Sequence, residues 1–360
     1  MKIAIILGTR PEIIKMSPVI RECEKRDIPY FILHTGQHYS YDMDKIFFEK
    51  LELPQPKYNL NVGSGTHAEQ TGKIMIGVEK TLMKEGADVV LVQGDTNTVL
   101  AGALAATKLH IKVGHVEAGL RSYDRRMPEE INRILTDHVS DYLFAPTEKA
   151  KQNLLREGID KNKIFVTGNT IVDAVYQNLE IAKKKVNVLK DLGLKPKEYF
   201  LVTAHRQENV DAKERLKGIL KGLELIYEEF SIPIIFPMHP RTRKRIKEFG
   251  LTFNGVVVTN PVGFLEFLQL EANAKLVLTD SGGAQEESCI LKVPCVTLRD
   301  NTERPETLEV GSNILAGTRP KRIVESVKTM LNKENKWENP FGDGKTGERI
   351  IKLIENNFGK

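Results

Sequence analysis

The sequence predicts an α/β protein made of two similar domains, each with an open, doubly wound parallel sheet. Short apolar runs rich in Val, Ile and Leu alternate with longer helical patterns along the whole chain. Such runs are typical of parallel strands that helices cover on both faces, and their alternation with helices gives right-handed βαβ units. A length of 360 residues is enough for two domains of ordinary size.

The apolar runs predict eleven strands. In chain order these are Lys2–Leu7, Tyr30–His34, Asp88–Gln93, Lys112–Glu117, Tyr142–Ala145, Lys163–Val166, Phe200–Ala204, Ile232–Met238, Val256–Thr259, Leu276–Thr279 and Cys295–Leu298. The segments that begin at Ala87 and Ala274 follow one plan, in which a strand, a polar turn, a helix and a second strand precede an arginine. This internal similarity indicates two related domains that meet within residues 168–195.

Composition and charge exclude several classes of protein. The apolar runs are far shorter than the ~20 residues of a membrane helix, and charged residues interrupt the N-terminal run before any cleavage-like site. The net charge of +5 is spread along the chain without a nucleic-acid-binding module. The three cysteines, Cys23, Cys289 and Cys295, form no C-x-x-C pair. We therefore expect a cytoplasmic protein with no nucleic-acid or membrane partner and no disulfide framework.

The turns after the predicted strands are rich in histidine, arginine and carboxylate side chains rather than in the small polar residues of ordinary turns. The segment from His115 to Arg133 alone holds four carboxylates and four arginines, and Gly119 and Pro128 interrupt it. A charged surface helix would avoid these interruptions. Ligands of open α/β sheets bind beyond the carboxyl ends of the strands, so these turns predict a binding cleft between the two domains.

A phosphate site is predicted where Ser281, Gly282 and Gly283 follow a strand and begin a helix. Backbone N–H groups and the helix dipole favour an anion at such a helix N-terminus. An ordinary capped turn would explain these three residues equally well. Arg10 and Arg304, with Lys15, lie near other strand ends, and guanidinium groups bind phosphate oxygens bidentately. Together they favour a diphosphate.

Other cofactor sites fit the sequence poorly. Residues Gly63–Ala68 match G-x-G-x-x-A, but no good buried strand precedes them and no suitable acidic residue follows. The sequence contains no Walker motif, nucleophile elbow or His/Cys metal cluster. The acids of "GDTNT" and "DNTERPE" could hold Mg²⁺, but positive side chains already supply the charge that the phosphates need. We therefore expect no nicotinamide or flavin cofactor and no metal.

Asp95, Glu117 and Glu129 lie in turns beside these phosphate candidates, as does His205. A bound diphosphate would repel carboxylates, so a site keeps them there when it needs general bases near a sugar phosphate. Any one of them could instead form an ion pair that organises its loop. For Glu130, an ion pair with an arginine of the same segment is the interpretation we prefer.

Nine sequence motifs match one known family. In chain order they read "GTRPEIIKMSP", "QGDT", "GHVEAGLRS", "PEEINR", "PTEKAKQNLLREG", "VTGNTIVDA", "TAHRQEN", "TDSGGAQEES" and "RDNTERPE". They resemble the non-hydrolysing UDP-N-acetylglucosamine 2-epimerases. The resemblance implies two Rossmann-like domains in the glycosyltransferase-B-like arrangement, with the active site in the interdomain cleft. We therefore expect an N-terminal domain of residues 1–168 plus 341–360 and a C-terminal UDP-binding domain of residues 169–340.

The resemblance also implies an activity. Members of this family interconvert UDP-N-acetylglucosamine and UDP-N-acetylmannosamine by eliminating UDP to give 2-acetamidoglucal and then adding UDP back. The family uses no nicotinamide cofactor, and its product serves the synthesis of cell-surface polysaccharides and glycans. For this chain we expect the same reversible epimerisation, UDP-N-acetylglucosamine and UDP as ligands, and a homodimer.

Site residues are carried over from the family one by one. The resemblance implies that Asp95, Glu117 and Glu129 are the catalytic acid–base carboxylates and that His205 is a catalytic group or one beside the diphosphate. The implied substrate site contains Asp95, Glu117 and His205 together with Arg10, Lys15, Phe267, Ser281, Gly282, Gly283, Glu287 and Arg304. Glu287 would accept hydrogen bonds from the ribose hydroxyls, and Phe267 would flank the uracil. Tyr39 replaces an arginine that borders a regulatory substrate site in bacterial relatives, so activation by substrate is not expected.

Three rival functions share these features. A hydrolysing epimerase of the same fold would release N-acetylmannosamine and UDP, and a retaining glycosyltransferase would need an acceptor. A nucleotide-sugar sensor would bind without turnover. The three candidate carboxylates argue against the sensor, because binding of UDP gains nothing from them.

Overall fold

The computed structural model describes residues 1–37 and 41–358, and for residues 41–44 it describes the backbone alone. The strands are β1 (Ile3–Leu7), β2 (Tyr30–His34), β3 (Tyr58–Asn59), β4 (Val89–Gln93), β5 (Lys112–Val116), β6 (Tyr142–Ala145), β7 (Ile164–Val166), β8 (Phe200–Thr203), β9 (Ile234–Pro237), β10 (Val256–Thr259), β11 (Leu276–Thr279), β12 (Cys295–Thr297) and β13 (Asn313–Leu315).

The helices are α1 (Arg10–Lys25), α2 (Tyr41–Lys50), α3 (His67–Glu85), α4 (Asn97–Lys108), α5 (Pro128–Val139), α6 (Glu148–Arg156), α7 (Thr170–Lys185), α8 (Val188–Asp191), α9 (Gln207–Val210), α10 (Lys213–Phe230), α11 (Pro240–Glu248), α12 (Phe264–Asn273), α13 (Gly282–Ile290), α14 (Pro305–Glu309), α15 (Pro320–Leu331) and α16 (Thr346–Asn357), and Lys161–Lys163 form a 3₁₀ turn. Among these described helices, none has both the length and the apolar composition needed to cross a membrane.

The predicted α/β class is confirmed, and each predicted strand is present within two residues of its expected bounds. Sequence reasoning missed β3 and β13. Each of them is the outermost strand at one end of its sheet and has only two or three residues. Short edge strands with polar residues lack the continuous apolar run that marks a strand covered on both faces.

The chain forms two compact units. The first consists of Met1–Gln177 with the C-terminal segment that begins at Phe341, and the second consists of Asn178–Pro340. The division falls within α7, whereas we expected it after residue 168. The start of α7 packs with the first unit because Asn169 N donates to Phe341 O at 2.8 Å and Gly347 N donates to Asp173 Oδ1 at 2.9 Å.

In the first unit, the described residues form a seven-stranded parallel sheet in the order β3-β2-β1-β4-β5-β6-β7. Strand β1 lies inside this sheet and is wholly buried. It pairs with β2 on one side and with β4 on the other. The strand order reverses between β1 and β4, where consecutive crossovers go to opposite sides. Ligands of such sheets bind beyond the carboxyl ends of the strands at this point.

The second unit repeats this topology. Its described residues form a six-stranded parallel sheet in the order β10-β9-β8-β11-β12-β13, so the reversal lies between β8 and β11. The core on one side of this sheet is formed by apolar residues of α10, α15 and the central strands. The repeat agrees with the two related domains predicted from the internal similarity of the sequence.

The last helix, α16, packs against α1 of the first unit. Gly347 is in its first turn, and a Cβ atom there would lie only 2.9 Å from both the carbonyl carbon and the oxygen of Pro18. The two helices can therefore approach this closely only with glycine at this position. Ile350, Ile351 and Ile354 of α16 are completely buried.

Candidate functional site

The turns after β1 and β4 lie side by side at the reversal of the first sheet, and Glu12 joins them. Glu12 is buried in the first turn of α1. Its Oε2 accepts hydrogen bonds from Gly8 N at 2.5 Å and Thr9 N at 3.2 Å, and its Oε1 accepts one from Thr96 Oγ1 at 2.6 Å. Sequence reasoning missed Glu12, although the Thr-x-x-Glu spacing of a capping box marked it.

Burial raises the pKa of Glu12 from its ordinary 4.5 to about 7, and the nearby Asp95 carboxylate adds to this rise, while the bonds from Thr96, Gly8 and Thr9 oppose it. A carboxyl group with a raised pKa holds its proton in the folded protein after the unfolded chain has lost it. The stability that this proton contributes is therefore complete below about pH 4.5 and is lost as the pH rises toward 7.

We expect Glu12→Gln, which cannot ionise, to gain stability relative to the parent as the pH rises from 4.5 through 7. The gain should approach roughly 3 kcal/mol, the value of a pKa difference of this size. The amide can still accept from the two backbone N–H groups and donate to Thr96. Urea unfolding of both proteins at pH 5 and pH 8 measures the difference, and parallel pH profiles would contradict a raised pKa.

Glu117 directly follows β5 and is held by three donors from different elements. Lys15 Nζ of α1 lies 2.6 Å from Glu117 Oε1, Asn169 Nδ2 donates to the same oxygen at 3.1 Å, and Gln93 Nε2 at the end of β4 donates to Oε2. The backbone of Glu117 is left-handed, with φ at 73°, which turns the chain sharply at the strand end. The donors and the cation favour an ionised, fixed carboxylate.

This contact connects two residues that were predicted to have separate roles. Lys15 was predicted to bind the diphosphate and Glu117 to be a catalytic carboxylate, yet the structure joins them as a nearly buried ion pair, with side chains 13% and 6% exposed. The diphosphate role of Lys15 stays a prediction. Its contact with Glu117 indicates a further role, because a cation at this distance stabilises the ionised form of a carboxylate.

Asp95 follows β4 and is positioned by α5. Its carboxylate pairs with Arg133, and its carbonyl oxygen accepts a hydrogen bond from Asn132 Nδ2 at 2.9 Å. The side chain of Asp95 is 34% exposed, so it remains accessible to a ligand. Asp95 and Glu117 therefore lie at the ends of adjacent strands, β4 and β5, and each is paired with a cation.

The two glutamates at the start of α5 differ in their surroundings. Glu130 is buried and accepts hydrogen bonds of 2.9 Å from Ser122 N, Ser122 Oγ and Tyr123 N, while Arg133 Nη1 lies 2.9 Å from it. Burial alone would raise the pKa of Glu130, but these donors lower it. The interpretation of Glu130 as a loop organiser is confirmed. Glu129 is exposed and forms no ion pair among the described residues, so its catalytic role stays a prediction.

His115, which sequence reasoning passed over, supports the turn that carries Asp95. This buried ring donates from Nε2 to Gly94 O at 2.8 Å, and its Nδ1 lies 2.6 Å from Asp137 Oδ1. Asp137 in turn pairs with Arg121 Nη1 at 2.7 Å, and Arg121 forms a bidentate pair with Glu157. Arg121 is therefore part of the framework rather than a ligand of phosphate.

In the second unit, Asp280 joins the turns after β8 and β11. This wholly buried carboxylate accepts hydrogen bonds from His205 N, Arg206 N and Asn209 Nδ2 at 3.0–3.1 Å. His205 Nδ1 also lies 3.4 Å from Asp280 Oδ1. Burial, and then the charges of His239 and Arg206, lower the pKa of His205, although Asp280 opposes the change. The imidazole is therefore neutral at neutral pH and is available for proton transfer.

The N-terminus of α13 presents the predicted phosphate site. Ser281 is its N-cap, and Gly282 and Gly283 occupy the first turn, where N–H groups have no partner within the helix. A Cβ atom at Gly282 would lie 3.9 Å from Arg206 Nη2. Glu303 Oε2, whose carboxylate pairs with Arg206, lies at the same distance of 3.9 Å from this position. Backbone donors, the helix dipole and a guanidinium group are thus present together, and binding of a phosphate here stays a prediction. Arg206 is another residue that sequence reasoning missed, although it lies inside the motif that contains His205.

Arg304 is oriented by a partner that was not predicted. Its Nε lies 2.6 Å from Glu286 Oε1, and Glu286 is 2% exposed. Gln285 Nε2 donates to Ser281 O at 3.2 Å, while Thr302 Oγ1 donates to Gln285 Oε1 at 2.5 Å and accepts from Arg304 N at 3.0 Å. These bonds tie the start of α13 to the turn that carries Arg304.

The remaining predicted residues lie in three places. Phe267 on α12 is half-buried and packs against the apolar core of the second unit, and Glu287 on α13 is half-buried. The Arg10 guanidinium lies over the Phe47 ring, 5.5 Å from its centroid. Tyr39, on which the expectation about regulation depends, lies outside the described residues.

The acids of the turn after β12 are engaged by arginines. Glu303 accepts hydrogen bonds of 2.8 and 2.9 Å from the Arg299 guanidinium group. A Glu303 carboxylate oxygen also lies 3.5 Å from Arg206 Nη1. The hydrogen bonds from Arg299 lower the pKa of Glu303 to about 2 against the effect of its burial. Within the described residues, no group of three or more His, Cys, Asp or Glu side chains is arranged to hold a metal ion.

The chain is similar to known proteins over nearly its whole length. The sequence profile described as UDP-N-acetylglucosamine 2-epimerase matches residues 21–355. A UDP-N-acetylglucosamine 2-epimerase of Methanocaldococcus jannaschii is 64% identical over 367 residues, which is 100% of both chains. The crystal structure of the Methanocaldococcus jannaschii UDP-GlcNAc 2-epimerase in complex with UDP-GlcNAc and UDP matches with a TM-score of 0.87 at 64% identity, over 99% of this chain and 100% of that one.

A relative with a different substrate in its name is also similar. A UDP-2,3-diacetamido-2,3-dideoxy-D-glucuronate 2-epimerase of Pseudomonas aeruginosa is 43% identical over 358 residues, covering 98% of this chain and 99% of the relative. Both relatives are named as 2-epimerases of UDP-linked acetamido sugars, and they differ in the sugar.

Proposed function

Because the chain belongs to the UDP-N-acetylglucosamine 2-epimerase family, we propose that it interconverts UDP-N-acetylglucosamine and UDP-N-acetylmannosamine. The observation that carries this proposal is the pair of carboxylates at the ends of β4 and β5, Asp95 and Glu117, each paired with a cation. A protein that only bound UDP would gain nothing from two carboxylates at the ligand end of its sheet. An enzyme that inverts a carbon bearing hydrogen needs a base to remove a proton and an acid to return one.

We propose that the reaction begins with the diphosphate as leaving group. The C2 proton is not acidic, so the C1–O bond to UDP breaks ahead of proton removal, and the sugar develops positive charge that a carboxylate stabilises. The leaving electron pair stays on the β-phosphate oxygen, where the α13 N-terminus, Arg206 and Arg304 offset the charge. Removal of the C2 proton by a carboxylate then gives 2-acetamidoglucal and UDP.

The second half of the reaction reverses these steps with the opposite configuration at C2. A carboxylic acid gives a proton to the other face of C2, and the β-phosphate oxygen re-forms the bond to C1. Asp95, Glu117 and Glu129 are the proposed acid–base groups, and neutral His205 is proposed to act beside the diphosphate. UDP is consumed again, so the reaction needs no cofactor and its product is a nucleotide sugar for polysaccharide or glycan synthesis.

Proton NMR of the products formed from UDP-N-acetylglucosamine tests this proposal against its rivals. A UDP-linked manno sugar is the expected product. Free N-acetylmannosamine with UDP would identify a hydrolysing epimerase, turnover only with an added acceptor would identify a glycosyltransferase, and binding without turnover would identify a sensor.

A second candidate substrate is UDP-2,3-diacetamido-2,3-dideoxy-D-glucuronate, because a relative named for that sugar is 43% identical over nearly the whole chain. The two sugars differ in a carboxylate at C5 and an acetamido group at C3, which leaves the chemistry at C1 and C2 unchanged. Competition between the two substrates, followed by NMR, compares their kcat/KM values directly.

We also propose that the chain forms a homodimer through the faces of α3 and α5, two helices that flank α4. Ile76 and Met83 of α3 are 54% and 71% exposed, and Ile131 and Leu135 of α5 are 41% and 45% exposed. Large apolar side chains exposed on the faces of such helices are typical of an interaction surface. A symmetric dimer would cover the same surface on both copies.

The double variant Ile76→Lys/Leu135→Lys should be a folded monomer, because burying two lysines at a self-complementary interface is unfavourable. Light scattering coupled to gel filtration measures the mass. Val257→Lys is the matched control, since Val257 is 50% exposed on β10 of the second unit. A control that dissociates equally, or a double variant that stays dimeric, would contradict this interface.

A further inference from the structure

The second unit contains a buried acid, Glu271, that the proposed chemistry does not use. Glu271 lies on α12 and is 0% exposed. Its Oε1 accepts a hydrogen bond of 2.8 Å from Ser288 Oγ of α13. Its Oε2 meets no N–H or O–H donor among the described residues. The bond to Ser288 places the Glu271 carboxyl group beside the preceding residue of α13, Glu287, and the two carboxyl groups interact.

Two carboxylates can only accept hydrogen bonds, so this contact is repulsive unless one group carries a proton. Glu271 is the group that carries it. It is wholly buried, whereas Glu287 is half-buried, and burial penalises the charged form. Burial and then the charge of Glu287 raise the pKa of Glu271 well above its ordinary value. The pair is therefore a neutral acid that donates a hydrogen bond to an ionised carboxylate.

The location of the pair connects it with the predicted uridine site. Phe267, the predicted neighbour of the uracil, lies one helical turn before Glu271, so both side chains are on the same face of α12. Glu287, the predicted acceptor for the ribose hydroxyls, is on α13, whose first turn is the candidate phosphate site. The residues predicted to contact the base, the ribose and the phosphate thus all lie on α12 and α13, two packed helices of the same unit.

We propose that Glu271 is a positioning residue for nucleoside recognition, and that its carboxylic acid fixes one oxygen of Glu287 so that Glu287 can accept hydrogen bonds from the ribose hydroxyls. This inference rests on the proposed function, because it takes a uridine nucleotide as the ligand. A neutral donor suits this task. It orients Glu287 without adding a positive charge beside it.

Two substitutions separate this role from simple packing. In Glu271→Gln the amide N–H₂ group replaces the acid as donor to Glu287, and in Glu271→Met the donor is lost while the length of the side chain is kept. Isothermal calorimetry of the parent and both variants measures the affinity for UDP and for 2′,3′-dideoxyuridine diphosphate, which lacks the ribose hydroxyls. The melting temperature of each protein reports its stability.

We expect Glu271→Gln to bind UDP within about twofold of the parent and Glu271→Met to bind it about ten- to a hundredfold more weakly, the effect of one hydrogen bond to a charged group. The three proteins should bind the dideoxy nucleotide equally, and Glu271→Met should melt no lower than Glu271→Gln. When the infrared spectrum of each variant is subtracted from that of the parent, the carbonyl band of one protonated carboxyl group should remain, because the contribution of Glu12 is the same in all three proteins and cancels.

Equal UDP affinity in all three proteins would overturn the inference, as would equal losses for UDP and the dideoxy nucleotide, which would indicate a general distortion of the site. Absence of a protonated carboxyl band from both parent-minus-variant spectra would also overturn it. These results would leave the proposed function standing. If the parent itself did not bind UDP, the proposed function would fail and this inference with it.

Discussion

Glu117→Gln should lower the turnover of UDP-N-acetylglucosamine by about 10²–10⁴-fold, the usual effect of removing a general acid or base, while UDP still binds. The amide keeps the size of the side chain, and its one oxygen can accept a hydrogen bond from either Gln93 or Asn169, which bind different oxygens of the parent carboxylate. It removes a negative charge from the neighbourhood of the diphosphate and releases Lys15 from its ion pair. Binding of UDP should therefore be unchanged or stronger, as measured by isothermal calorimetry beside an NMR assay of turnover.

The same separation of binding from turnover is expected for Asp95→Asn and Glu129→Gln. Arg10→Ala is the opposite control, because loss of a predicted phosphate ligand should weaken UDP affinity markedly. Glu129 is the most informative of the three carboxylates, since it is exposed and forms no ion pair among the described residues. If the three amide variants lost UDP binding as severely as Arg10→Ala, these carboxylates would have a structural role instead.

Turnover in D₂O should place deuterium at C2 of essentially every product molecule, with no added cofactor. The proton removed from one face goes to a carboxylate, and the proton returned to the other face comes from a different acid. Carboxyl protons exchange rapidly with water once a site opens, so the returned proton has the isotope of the solvent. Proton NMR detects the label as loss of the C2 signal and of its coupling to H1.

Cleavage of the C1–O bond has its own readout. An ¹⁸O label in the bridging position should scramble into the non-bridging oxygens of the β-phosphate, because the diphosphate group is free to rotate between elimination and re-addition. Labelled substrate incubated with the Glu117→Gln variant is the control, and it should keep the ¹⁸O label in the bridging position. Product with only protium at C2, or a requirement for NAD, would overturn elimination and the roles of Asp95, Glu117 and Glu129.

The fold was predictable because a parallel strand covered on both faces needs a continuous apolar sequence. Each run of Val, Ile and Leu that we assigned to a strand forms a strand in the structure, and both sheets have the same order of elements. The strands β3 and β13 could not be found in this way. An edge strand is held by backbone hydrogen bonds to one neighbour, which place little demand on its side chains.

The site was predictable only one turn at a time. Strand-end motifs located Asp95, Glu117 and Ser281, but the ion pair between Lys15 and Glu117 joins residues 102 positions apart, and no local pattern shows it. For α13, the sequence indicated an acid for the ligand without showing that Glu286 faces Arg304 and that Glu287 faces Glu271. Which neighbour a buried polar side chain contacts depends on tertiary packing.

The buried carboxylates Glu12 and Asp280 have a consequence for how the two ligand-binding crevices are built. Where the strand order of a sheet reverses, the two flanking turns belong to crossovers that leave in opposite directions, so chain connectivity does not hold them together. In the first sheet Glu12 reaches from the β1 side to Thr96, and in the second sheet Asp280 reaches from the β11 side to His205 and Arg206. In each unit a buried carboxylate therefore connects the two turns at the strand-order reversal. The carboxylate comes from the first of the two turns in one unit and from the second in the other. Each carboxylate joins the two turns that border its crevice, so a substitution that removes its hydrogen-bonding groups, such as one to alanine, would release both turns at once.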